Sequence, residues 1–170
     1  MSVIESQPPN ERHDDIATLR VHRAGSIDVE RLWPMLADGA WLGQLVEDPA
    51  VPAGVRRYLT DLVLPLPPDG RVLSLRKATL LDIGPAVRVP GGCDVELAWR
   101  SASLAPLFPV FAGRLEARAT GLSIEGHYAP PGGALGRTAD RMLLHTAARG
   151  TARWLLGHVA AALRSGPPAP

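Results

Sequence analysis

A single cysteine, Cys93, leaves the chain unable to form an internal disulfide. The first residues, MSVIESQPPNERHDD, lack a basic stretch followed by an apolar one, and together these two features predict an intracellular, cytoplasmic protein. Long hydrophobic runs are missing as well. Charges or prolines interrupt each of them before the roughly eighteen apolar residues of a membrane span, so no transmembrane segment is expected. Charge of one sign is also lacking: 18 basic against 17 acidic side chains leave a net +1, which gives no field to draw the chain to nucleic acid.

Chemical signatures are equally scarce. The histidines at 13, 22, 127, 145 and 158 form no H-x-x-x-H pair and Cys93 has no thiol partner, so neither a metal nor a cofactor is expected. No G-x-S-x-G elbow is present. The segment PGGALG, ending at Gly136, has Pro131 where a dinucleotide loop needs glycine, and Arg137 follows where a Walker loop needs lysine. It reads instead as a strand turning sharply into a helix.

What is present is enough apolar content, 46% of 170 residues, to bury one sizeable core. Polar or proline-rich tails are expected at 1–14 and 165–170, flanking a single domain over 15–164. In IATLRVHRA, Ala17, Leu19 and Val21 alternate with Thr18, Arg20 and His22, as in a half-buried strand. Ser26 then stands as N-cap for the helix IDVERLWPML, which Pro34 should kink or divide. WLGQLVE and AGVRRYLTDLV read as further short helical pieces.

From Arg71 onward the pattern is a meander. The strands RVLSLRKATLLDI, AVRVP, CDVELAWRS, LFPVFAGRLEARA and LSIEGHYA are punctuated by glycine and proline, the first two separated at Gly84-Pro85. Cys93, Val95, Leu97 and Trp99 alternate with Asp94, Glu96 and Arg100. Leu115 and Ala117 do so with Arg114, Glu116 and Arg118, and Leu122, Ile124 and Tyr128 with Ser123, Glu125 and His127. One face is thus apolar and the other carries charges able to pair across strands. A long helix, GALGRTADRMLLHTAARGTARWLLGHVAAALR, closes the chain, its apolar stripe shifting from Leu135, Ala139, Met142, Leu143 and Ala147 to Trp154, Leu155, Val159 and Ala162.

This order of elements resembles the START-like helix-grip superfamily, also called SRPBCC, over 15–164. In wording, LFPVFAGRLEARATGLSIEGHYAPPGGALGRTADRMLLHTAARGTARWLL is similar to its polyketide-cyclase and lipid-transport-like bacterial members. The resemblance implies an α+β helix-grip fold: a curved antiparallel sheet wrapped around a long C-terminal helix, with short helices after the first strand. It also implies a seventh strand, for which DLVLPL remains, and a pocket for apolar ligands between sheet and helix.

Trp99 and Tyr128 are either core residues or pocket linings with a polar handle. Under the resemblance Leu97, Leu115, Ile124, Met142 and Trp154 join them as lining candidates. The expected function is then a binding or carrier protein for a hydrophobic small molecule, of the lipid, isoprenoid or polyketide-like kind. The alternatives are an aromatase or cyclase acting on a polyketide, with His145, Asp82 or Tyr128 supplying acid-base chemistry, and a protein-interaction module without a ligand cavity. His127 and His145 read as solvent-facing. Asp82, Arg100 and Arg149 remain candidate buried anchors. Arg137, Arg141, His145, Arg149 and Arg153 recur every four residues, either as a solvated helix exterior or as a weak contact for an acidic surface.

Overall fold

The computed structural model describes residues 16–66, 73–102, 110–129 and 139–165, with side chains at 63–66, 73–77, 129 and 139–144 outside that description. The alternating segments form one curved, open, seven-stranded antiparallel sheet. Its strands are β1 (Ala17–Ala24), β2 (Gln44–Val46), β3 (Arg56–Leu66), β4 (Leu73–Val89), β5 (Gly92–Ser101), β6 (Val110–Arg118) and β7 (Gly121–Ala129), in the order β1-β7-β6-β5-β4-β3-β2. Two helices are described, α1 (Val29–Asp38) and the 27-residue α2 (Ala139–Ser165). α2 packs against β3, β1 and β7, while α1 covers β4 and β5. This is the α+β helix-grip architecture. Among the described residues, no helix is long and apolar enough to cross a membrane.

α1 starts two residues later than the Ser26 cap predicts. Asp28 is the N-cap, its carboxylate accepting the Arg31 N–H at 3.1 Å, and Glu30 adds a negative charge to the first turn. Leu32 and Leu36, one turn apart, are the buried face. The helix runs undivided past Pro34 and stops at Gly39, whose φ of 70° is the left-handed C-cap. Arg56 then donates to the Asp38 and Leu36 carbonyls at 2.9 and 3.1 Å, and Tyr58 Oη to Asp38 at 3.1 Å. These contacts satisfy carbonyls that the helix end leaves open.

The helical pieces expected at WLGQLVE and AGVRRYLTDLV are absent. A 3₁₀ turn (Ala40–Leu42) leads into the edge strand β2, and the second piece is the start of β3, into which DLVLPL is absorbed. Tertiary pairing decides this: Tyr58 and Leu62 point into the core, and Arg57 lies directly opposite Asp82 on the other face. The break expected at Gly84-Pro85 is not a chain break either. β4 runs through it for 17 residues, and the register moves from Ile83↔Leu97 to Ala86↔Val95. Three steps on β4 match two on β5, which is a β-bulge.

The alternation on β5, β6 and β7 holds as read. Cys93, Val95, Leu97, Trp99, Leu115, Ala117, Leu122, Ile124 and Tyr128 are all buried. On α2 the buried stripe is Ala148, Thr151, Ala152, Leu155, Leu156, Val159 and Ala160; successive members lie four apart, so the stripe winds about 40° per turn, as the shifting apolar pattern predicts. Trp154 and Ala162 are only half-buried, Ala147 packs at the margin, and Leu135 with the side chains of Ala139, Met142 and Leu143 lies outside the described residues.

Candidate functional site

Antiparallel register carries one row of side chains straight across the inner face of the sheet. Tyr58 pairs with Leu81, Leu81 with Trp99, Trp99 with Phe111, Phe111 with Tyr128, and Tyr128 with Ala17. Directly paired residues project from the same face. Four aromatic rings therefore share one buried line, with Trp99 and Phe111 stacked at 3.9 Å between centroids and 13° between planes. The next row supplies the room. Gly113 and Gly126 are register partners, and a Cβ on either would stand 2.6 or 2.7 Å from Phe111 Cζ. The Phe111 ring lies over this bare backbone.

Above the row, His145 of α2 meets Tyr128, Nδ1 to Oη, at 3.1 Å. The expectation of a solvent-facing His145 fails: the ring is half-buried with the Tyr128 hydroxyl as its partner, whereas Arg149 and Arg153 are exposed. Arg137 and the Arg141 side chain lie outside the described residues.

Among the described residues, two buried side-chain polar atoms have no hydrogen-bond partner: Trp99 Nε1 on β5 and Thr151 Oγ1 on α2. Trp99 is 1% exposed and Thr151 fully buried.

The residues singled out from sequence separate into several places. Trp99 and Tyr128 belong to the aromatic row, and Leu97 to the row of Gly113 and Gly126. Leu115 and Ile124 pair with each other four residues further along their strands, about 13 Å from Phe111 and Tyr128. Trp154 stacks on His158 at 5.0 Å, and His158 Nε2 lies 3.2 Å from the Trp41 carbonyl, so these rings join α2 to the 3₁₀ turn. The Met142 side chain lies outside the described residues. Asp82 stands on the outer face, away from Tyr128 and His145, and His127 and Arg100 are exposed there. Tyr58, Phe111 and Thr151 were not selected from sequence; the alternation Arg57, Tyr58, Leu59 was the available signal for the first of them.

The outer face is a charged lattice. Glu96, Arg114, Glu125 and Arg20 pair in succession across four strands, with Arg20 Nε 3.3 Å from Glu125. Arg57, 6% exposed, forms a fork with Asp82 at 2.6 and 2.7 Å and also binds Asp48. The Asp82 carboxylate holds the Arg57 guanidinium above its ordinary pKa, and the Ala50 N–H and Arg57 pull Asp48 below its own. An open groove of about 800 Å³ runs beside them, lined by Pro52, Val55, Glu96, Arg114 and His127 among others. On the opposite face, burial and then the Asp94 charge push the Cys93 thiol up, keeping it protonated. No protein-family model matches the chain, and no characterised protein matches it in sequence.

Proposed function

We propose that the protein encloses a hydrophobic small molecule, of the lipid, isoprenoid or polyketide-like class, between the inner face of the sheet and α2. The observation that carries this reading is the aromatic row of Tyr58, Trp99, Phe111 and Tyr128, set where the sheet faces the helix. Flat rings in line offer a large, rigid apolar surface with Tyr and Trp heteroatoms at its edges, the usual composition of a small-molecule site. Native mass spectrometry of protein purified from a lipid-rich host tests it. A stoichiometric apolar adduct is expected. A clean apo mass, with no thermal shift across a panel of fatty acids, isoprenols and aromatic polyketides, would overturn it.

The Tyr128–His145 pair favours a second reading, an enzyme of the aromatase or cyclase type. A phenol hydrogen-bonded to an imidazole can pass a proton to or from a bound substrate. Deuterium exchange at the methylene of an aryl 1,3-diketone, followed by NMR, separates the two readings. Exchange faster than in buffer and lost in Tyr128→Phe supports catalysis, while unaccelerated exchange of a bound diketone supports a carrier.

A further inference from the structure

We infer that the enclosed ligand is a neutral carbonyl compound whose oxygen accepts the Trp99 Nε1–H. This rests on the ligand-enclosing reading above and specifies its chemistry. An indole N–H can only donate, and in the unfolded chain it donates to water. Here it is buried on the inner face with no acceptor. Stacking on Phe111 does not account for it, because a phenylalanine at 99 would stack as well and leave no donor stranded.

Thr151 adds an independent observation from α2. A threonine inside a helix ordinarily returns its hydroxyl to the carbonyl four residues back. The Thr151 hydroxyl makes no such bond and is buried. The inner face of the sheet, on β5, and α2 thus each carry one buried unsatisfied polar atom, while Tyr128 and His145 are joined to each other. A hydrocarbon would satisfy neither atom. A carboxylate or phosphate would need a cation; among the described residues the one buried arginine, Arg57, is on the outer face, bound to Asp82 and Asp48, and the half-buried His145 is engaged with Tyr128. A ketone or ester oxygen matches a lone neutral donor, and a neighbouring hydroxyl or second carbonyl matches Thr151.

The test uses matched probes differing only in that oxygen: acetylnaphthalene against isopropenylnaphthalene, and a long-chain methyl ketone against its methylidene analogue. Dissociation constants are measured by calorimetry for the wild type, Trp99→Phe and Thr151→Val, with far-UV melting to confirm folding. The wild type should prefer each ketone by about 3- to 10-fold, and Trp99→Phe should abolish that preference by weakening the ketone alone. The infrared carbonyl stretch of the bound ketone should be lowered in the wild type and not in Trp99→Phe. Equal affinities for both members of a pair, or a preference that survives Trp99→Phe, would overturn the inference and leave the enclosing reading standing. Failure of all four probes to bind would overturn both.

Discussion

Asp82 is the sharpest place to separate architecture from chemistry. Replacing it with asparagine keeps its shape and removes its charge, turning an N–H toward a guanidinium that is 6% exposed. Both charge-assisted bonds of the fork, at 2.6 and 2.7 Å, are lost or weakened, and Asp48 alone remains to balance Arg57. Orphaning a buried charge costs about 3–5 kcal/mol; with the Asp82 side chain 23% exposed and Asp48 in place, about 2–4 kcal/mol is expected. Urea unfolding followed by circular dichroism reads this as a lower midpoint at constant slope. The double variant Arg57→Met, Asp82→Leu should recover most of the loss, because it leaves no unpaired charge behind. A single Asp82→Asn variant within about 0.5 kcal/mol of the wild type would refute the structural role assigned to the fork.

Three further outcomes follow from local geometry. Asp28→Ala should cost about 1 kcal/mol by uncapping α1, whereas Ser26→Ala should lie within about 0.5 kcal/mol of the wild type, both read from urea midpoints. Gly126→Ala should cost about 2 kcal/mol or more, since its methyl would meet the Ala112 carbonyl and Gly113 as well as Phe111, and Phe111→Leu should not rescue it. Asp48 has a depressed pKa in the folded state, so its contribution to stability is full above the ordinary carboxylate value near pH ~4 and disappears as the pH falls through the folded value. Midpoints measured from neutral pH into acid should therefore fall less steeply in Asp48→Asn.

Legibility in the sequence followed the range of the forces involved. The meander from β5 to β7 was readable because one face is buried and the other wet, so burial writes period two directly into residues 93 to 99, 115 to 117 and 122 to 128. Residues 40 to 66 were misread because their decisive partners are distant. Leu59 and Leu62 also fit a helical spacing, and what makes them strand is pairing with β4. Arg57 disguised the strand further, since a buried arginine on the outer face is intelligible only with Asp82 opposite it. His145 reads as solvent-facing from its place in a basic ridge, and the partner that makes it half-buried, Tyr128, sits on a strand seventeen residues earlier.

The aromatic row needed one more quantity, strand register, and most of it follows from turn length. Two-residue connections at Pro90-Gly91 and Ala119-Thr120 join Val89 to Gly92 and Arg118 to Gly121 as facing pairs. Counting back from the second turn places Phe111 opposite Tyr128, as observed. Counting back from the first turn without interruption would place Trp99 opposite Asp82. The bulge at Gly84-Pro85 inserts one residue, so Trp99 faces Leu81 instead. Because side chains alternate, that single residue exchanges the faces of everything before it on β4: Leu81 and Ile83 enter the core, and Asp82 turns outward to Arg57. Gly84-Pro85 therefore keeps a carboxylate off the inner face of the sheet and completes the row beside Trp99. Removing one residue there should carry Asp82 onto the inner face of the sheet and Leu81 onto the outer one. Loss of cooperative unfolding would be the expected result, and an unchanged urea midpoint would contradict the register on which the whole inner face depends.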